Sequence, residues 1–273
     1  MRRINFGGFW LAIVLAGSIF GQQGAAPAAV DNEYQLAAVL YMQKAAEYRA
    51  LSYQAFNLAR LRLDTDFDMR HLRKLSKSER KRPRAIIVDI DETVLDNSPA
   101  QAHGIRNRIG FNLKDWYAWG EMRKAKAIPG AVGFVDYAVS KAVTVFYVSN
   151  RDEVQKQATI DNLKSVGFDG VSVENVLLRT SGSGKDPRRK MIAEKYRIVM
   201  LIGDNLDDFS DVFEKRSVAD RFSEVDRSEA VWGKRFIVLP NAMYGTWENA
   251  IYEYERLTDE QKAKKRVEAL DFP

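Results

Sequence analysis

The sequence contains no cysteine, which removes disulfides, a thiolate nucleophile and thiolate metal ligation together. A fold carrying it into an oxidising compartment must hold by packing alone. Histidine is nearly as scarce, with only His71 and His103, too few for a multi-histidine metal centre. Several familiar motifs are also missing. Thr180 to Asp186 has the Gly184-Lys185 of a phosphate-binding loop but neither its first glycine nor a hydroxyl after the lysine. The run from Asp89 to Thr93 does not continue as a calcium loop, because Val94 stands where glycine is needed. No basic helix has base-reading spacing, so a nucleic-acid polymer is not an expected partner. There is no internal repeat and no low-complexity tract. Carboxylates remain as the reactive groups this chain can offer.

What is present is ordinary globular material: 273 residues, 46% hydrophobic and 29% charged, with 42 Lys and Arg against 37 Asp and Glu for a net charge of +5. The charges are scattered except in Arg70 to Arg84, a basic run that reads as a solvated linker. At the N-terminus, Arg2 and Arg3 precede an apolar run from Phe9 to Phe20, followed by Gly21-Gln22-Gln23-Gly24 and Ala26-Pro27-Ala28. That is the layout of an export signal, and the run is short for a membrane span, which needs about 20 apolar residues. Residues 1–29 therefore read as a signal peptide or N-terminal anchor, and residues 30–273 as the folded domain. The expected location is the periplasm, the cell envelope or the medium, with the membrane met only through an uncleaved N-terminal segment.

From about Glu33 to Leu63 apolar residues recur at helical spacing, which predicts one or two amphipathic helices. Ala85-Ile86-Ile87-Val88 is a short apolar run of the kind a buried parallel strand shows. Apolar runs at Val143 to Val148, Val176 to Leu178, Ile198 to Ile202 and Phe236 to Leu239 then alternate with helical stretches near Asp152 to Val166 and Arg188 to Tyr196. Such alternation predicts an α/β fold with a parallel sheet flanked by helices. Ser98 to Pro129 lacks a strand signal and carries Phe111, Trp116, Tyr117 and Trp119, so it reads as an inserted helical cap. A charged helical tail is expected from Trp247 to Leu270.

Asp89 and Asp91 lie two apart in an extended segment and so project to one side, at the strand end where ligands bind in open α/β sheets. Two carboxylates repel unless a cation or proton sits between them, which makes a divalent metal the natural third party. An Asp-x-Asp also occurs in turns and in the metal sites of unrelated enzymes. Ile202-Gly203-Asp204-Asn205-Leu206-Asp207-Asp208-Phe209 places further carboxylates beyond a second strand, although Asp204 or Asp207 would equally serve as helix N-caps. A third strand ends in Ser149-Asn150-Arg151, whose polar groups suit phosphate oxygens or a simple cap. Lys185 is a surface lysine by default, or a fixed positive charge.

In this order the four stations resemble the haloacid dehalogenase (HAD) superfamily. Ile87 to Asn97 together with Val199 to Phe209 resembles the paired signature of class C acid phosphatases. Ala127 to Val132, Val145 to Arg151 and Leu239 to Gly245 are similar to the lipoprotein e(P4), 5'-nucleotidase branch of that class, and the likeness runs from about residue 33 to the end. Two departures stand out. The class carries a tyrosine where this chain has Ala100, and the lipoproteins carry a lipid-bearing cysteine where Ser18 follows Leu15-Ala16-Gly17 here. Lipidation through cysteine is therefore excluded.

The resemblance implies a HAD-like Rossmannoid sheet with a small helical cap and a magnesium-dependent acid phosphatase acting on small phosphomonoesters. It makes Asp89 the nucleophile and Asp91 the acid and base. Mg2+ would lie on Asp89, Asp91 through its backbone carbonyl, and Asp204, with Asp208 close by. Ser149, Asn150 and Lys185 would hold the phosphate. Nucleoside monophosphates fit a site with aromatic walls, for which Trp116, Trp119 and Tyr244 are the candidates, since base stacking offers roughly 1–3 kcal/mol; the tryptophans would otherwise be cap core. Phosphotransfer to an alcohol, or a non-catalytic surface binding protein on the same scaffold, are the competing functions. A homodimer stands beside the monomer as an assembly.

Overall fold

The computed structural model describes residues 32–182 and 184–273. The first 29 residues, read above as a signal or anchor, lie outside the described residues. Two helices lead in, α1 (Leu36–Lys44) and α2 (Ala46–Phe67), followed by the short α3 (Met69–Leu72) and α4 (Lys77–Lys81). The basic run is thus not a plain linker. Asp68 caps α3, and Ser76 with Glu79 forms a reciprocal cap on α4, satisfying first-turn N–H groups that a bare basic segment would leave to water.

The main sheet contains β1 (Arg84–Val88), β4 (Thr144–Asp152), β5 (Val176–Arg179), β6 (Arg197–Gly203) and β7 (Phe236–Val238) in the order β5-β4-β1-β6-β7. All four pairings are parallel. The connecting helices are α7 (Ala131–Ser140), α8 (Lys156–Ser165), α9 (Asp186–Lys195) and α10 (Val218–Arg227). Alternate side chains explain why each strand reads as a continuous apolar run. Ile86, Val88, Val145, Tyr147, Met200 and Ile202 enter one core, with Phe56 and Leu63 of α2 and Phe134 of α7. Ala85, Ile87, Phe146, Val148 and Leu201 enter the other, with Ile192 of α9, Phe209 and Phe213. The chain moves from β1 one way to β4 and β5, then crosses back to β6 and β7 on the opposite side. The ends of β4, β1 and β6 therefore adjoin at a switch point, where open sheets of this kind bind ligands.

Between β1 and β4 lies an insert. It leaves through β2 (Leu95–Asp96), forms α5 (Ser98–Asn107) and α6 (Leu113–Met122), and returns through β3 (Lys126–Ala127). β2 and β3 pair antiparallel, Leu95 opposite Ala127 and Asp96 opposite Lys126. The insert is helical as expected, and this two-residue clasp is too short to leave a pattern in the sequence. The C-terminal tail is two helices rather than one, α11 (Thr246–Ile251) and α12 (Asp259–Glu268). Glu253 and Tyr254 take positive φ values of 54° and 60° between them, a conformation that ends a right-handed helix, and Thr258 caps the restart. Among the described residues no helix is long and apolar enough to cross a membrane.

At the amino end of the sheet, buried Asp66 of α2 accepts from Arg84 Nε at 2.6 Å and from Arg197 Nη1 and Nη2 at 2.7 and 2.6 Å. His71 Nε2 lies 3.3 Å away. One carboxylate thus ties α2 to the first residues of both β1 and β6. Burial works against its ionisation, but the Arg197 and Arg84 hydrogen bonds outweigh it and hold the carboxyl below its usual range.

Candidate active site

The opposite end of the same strands collects carboxylates without matching cations. Asp89 follows β1, is 7% exposed, and donates its backbone N–H to the Ile202 carbonyl at 2.9 Å. Ligand oxygens of Asp89, Asp204 and Asp208 all fall within 4.8 Å of one another. Lys185 is the charge that reaches them: its Nζ contacts Asp89 and lies 2.6 Å from Asp208 Oδ1. Burial alone would lower the Lys185 pKa, but Asp208 and Asp89 raise it and keep the ammonium charged. Asp89 is pushed up to about 7, mainly by burial; Lys185 pulls the other way, and the charges of Asp208 and Asp91 add to the rise. Asp204 is raised by burial and then by Asp208 and Asp89. Three hard oxygen donors gathered this closely are a group able to hold a divalent cation.

Local sequence explains how the group forms. Asp204 is oriented by Thr93 Oγ1 at 3.1 Å and Asn241 Nδ2 at 2.8 Å. Asp208 accepts the Asn205 N–H at 3.0 Å through Oδ2, so it also completes the reciprocal cap of a helical turn at Leu206–Asp208. The N-cap is Asn205, neither Asp204 nor Asp207, and Asp208 both completes that cap and faces the carboxylate group. Asp208 can lie across the strand end because residue 203 is glycine; a Cβ there would sit 2.3 Å from Asp208 Oδ2. The turn after Asp91 is equally tight. Glu92 has φ of +60° and donates its N–H to the Leu95 carbonyl at 2.8 Å. The Glu92 side chain is fully buried, accepts the Asn97 N–H at 2.7 Å through Oε1, and leaves Oε2 without a partner. Burial, then Asp91 and Asp204, raise its pKa well above the usual value.

A family model, HAD superfamily subfamily IIIB (acid phosphatase), matches residues 21–247. The chain belongs to this family of acid phosphatases. Two structures of the class C acid phosphatase from Bacillus anthracis, the second with tungstate bound, are 40% and 39% identical to it. Each superposes with a TM-score of 0.81, covering 88% of this chain and 98% of the other. Acid phosphatase 1 of Solanum lycopersicum is 28% identical over 130 residues, which is 45% of this chain and 50% of that protein. The chain thus spans about half the length of this tomato relative. A HAD phosphatase is a phosphomonoester hydrolase, and the parallel sheet seen here is the fold of the Bacillus relative.

The acid phosphatase places its expected site residues in three groups. Asp89, Asp204, Asp208 and Lys185 converge as described. Asp91 stands apart from the carboxylate group, with its side chain turned to Arg151, Asn97 and Ser149. The backbone of β4 runs on through Ser149 and Asn150 to Asp152 rather than stopping at Val148, so buried Ser149 sits in the strand and exposed Asn150 faces away from it. Arg188 ties these residues to the Lys185 loop, donating to the Asn150 side chain at 2.7 Å and to the Ser149 and Gly184 carbonyls at 2.5 and 3.2 Å. The third group is aromatic. Trp119 packs partly against the main core and donates Nε1–H to Asn97 Oδ1 at 2.8 Å. Trp116 lies under the Arg151 guanidinium, 5.4 Å from ring centre to Cζ. Tyr244 is half-buried on the core in the loop whose Asn241 holds Asp204.

Sequence reasoning missed Arg151, Asn97 and Arg188. The first was legible: once β4 is carried three residues further, the two-residue period puts Ser149 and Arg151 on the same side. Asn97 and Arg188 come from an insert and a helix face, where no short-range pattern marks them.

Proposed function

We propose that this phosphatase hydrolyses small phosphomonoesters, nucleoside 5'-monophosphates among them, through an aspartyl-phosphate on Asp89 with Mg2+ in the carboxylate group. What carries the reading is the convergence of three carboxylates and Lys185 where three adjacent parallel strands end. The donor set is all oxygen, which suits Mg2+. Asp89, Asp204, Asp208 and the Asp91 carbonyl would hold the ion, which when bound offsets the repulsion between a carboxylate nucleophile and a phosphate dianion.

In the first step an Asp89 carboxylate oxygen bonds to phosphorus, the bond to the leaving oxygen breaks, and that oxygen takes a proton from Asp91. In the second, water bonds to phosphorus, Asp91 takes a water proton back, and the bond to Asp89 breaks to release inorganic phosphate. Lys185 and Ser149 stabilise the transferring oxygens. The tungstate bound to the Bacillus relative, a tetrahedral oxyanion shaped like phosphate, supports an oxyanion pocket here. Phe111, 76% exposed and 6.3 Å from the Trp116 ring, leaves an aromatic surface on the insert for a base. The Arg2 to Phe20 layout supports action outside the cytoplasm.

The test is phosphate release from a panel of nucleoside 5'-monophosphates and sugar phosphates, with Mg2+ or with EDTA, beside Asp89→Ala. Turnover that needs the cation and vanishes in the variant is the expected result. Full activity in Asp89→Ala would sink the reading.

A further inference from the structure

Asp91 is held by more groups than its role as an acid and base requires. Its Oδ1 accepts Arg151 Nη2 at 2.7 Å, Arg151 Nε at 2.9 Å and Asn97 Nδ2 at 2.8 Å. Its Oδ2 has only two long contacts, Arg151 Nε and Ser149 Oγ, both at 3.2 Å. Arg151 is 2% exposed; it also donates from Nη1 to Thr159 Oγ1 at 3.1 Å and from Nη2 to Asn97 Oδ1 at 3.2 Å. Asn97 is fully buried. Its Oδ1 accepts from both Trp119 Nε1 and Arg151 Nη2, so its amide has one orientation, with Nδ2 toward Asp91. A guanidinium fork fixes the plane of a carboxylate where a lysine ammonium fixes only a point.

We propose that Arg151, Asn97 and Trp119 are positioning residues for Asp91: they commit Oδ1 to fixed donors and leave Oδ2 as the atom that carries the proton to the leaving oxygen. The consequence reaches into the insert. Trp119, a stacking candidate by sequence, spends its only N–H on the acid's support, so α6 sets the geometry of proton transfer. This assignment rests on the reading of Asp91 as the general acid and deepens it to a named oxygen.

A leaving group that departs without a proton separates this role from simple structural support. General acid catalysis is worth roughly 10²–10⁴-fold, and 4-nitrophenolate leaves without it whereas an alkoxide does not. Single-turnover release is measured for 4-nitrophenyl phosphate and for glycerol 2-phosphate in the wild type, Arg151→Gln, Arg151→Lys and Trp119→Phe. The expected result for Arg151→Gln is a loss of about 100-fold on the alkyl phosphate and less than about tenfold on the nitrophenyl ester. Arg151→Lys falls between Arg151→Gln and the wild type, and Trp119→Phe shows a smaller loss with the same asymmetry. Trp119→Phe removes one N–H and keeps a ring, so it carries the test if Arg151→Gln does not fold. Equal losses on the two substrates, or unchanged rates in both Trp119→Phe and Arg151→Lys, overturn the assignment. A wild type that hydrolyses neither ester instead overturns the proposed function.

Discussion

The two ends of β1 and β6 treat a buried aspartate in opposite ways. At the amino end Asp66 meets Arg84, Arg197 and His71, and its carboxyl is held low. At the carboxyl end Asp89 and Asp204 meet each other, Asp208 and a single lysine, and both are pushed up. The strands and the residue type are shared, and Asp66 and Asp89 are about equally hidden at 8% and 7% exposed; what differs most is the partners. One end is satisfied by the chain itself and joins three elements; the other is left short of positive charge, a deficit a divalent cation would fill. The Arg-paired aspartate and the clustered aspartates thus lie at opposite ends of the same strands.

The sharpest way to break this contrast is to neutralise one carboxylate at each end. Asp89→Asn removes the proposed nucleophile and is expected to lower kcat by at least roughly 10³-fold, the scale on which a catalytic group's loss is felt. Its thermal midpoint in EDTA at pH 8 should be no lower than the wild type's, because a repelled charge is removed. A clearly lower midpoint would show that Asp89 supports the fold. Asp66→Ala should do the reverse: it strands two mostly buried arginines, with side chains 20% and 13% exposed, for a loss of about 3 kcal/mol in denaturant unfolding. Its kcat/KM in the folded protein should stay within about twofold of the wild type, since an edge-confined defect leaves the far edge unmoved.

Gly203→Ala probes the reactive edge by shape alone. The added Cβ must displace Asp208, and a loss of about tenfold in activity is expected, with a stability loss of about 1–2 kcal/mol from overpacking. Unchanged affinity for the divalent cation, read by titration calorimetry, would show that Asp208 is not needed where it lies.

The last test is a slope against pH. Asp89 titrates near 7 in the fold against 3.8 as its ordinary value, so the metal-free native state binds more protons than the unfolded chain between those values, and its stability falls as pH rises through that window. Asp66 acts the other way: its carboxyl is lowered from 3.8, so its contribution is present above that value and is lost as pH falls through the folded one. Saturating divalent cation should flatten the first slope and leave the second. Chemical denaturation from pH 3 to 8, with and without the cation, reads both.

Much of this contrast was legible from residue order. The apolar runs gave the parallel sheet, and the strand ends gave Asp89, Asp204 and Asp208, because strand period and switch-point topology are local rules with global consequences. The amino-end cluster was invisible: Asp66, Arg84 and Arg197 stand far apart in the chain, and only the register of β1 against β6 brings them together. The contact of Trp119 with Asn97 escaped for the same reason, being set by how the insert folds back; Trp119 itself was named, as a stacking wall. Arg70 to Arg84 is solvated as expected, but charge composition says nothing of caps, and Ser76 and Glu79 were the signal that part of it would be helical.

The pairing of β2 with β3 brings the departure and return of the insert to one point, with Leu95 opposite Ala127. Topologically, the segment between them is a cassette. Lengthening it is cheap in chain entropy, since doubling a closed loop costs only about 0.6 kcal/mol, and the register of the sheet does not feel the change. On the function proposed above, a lineage could therefore exchange α5 and α6 without rebuilding the Asp89 end of β1. The one condition on the exchange is that the newcomer bring a donor to the Asn97 carbonyl, as Trp119 does here.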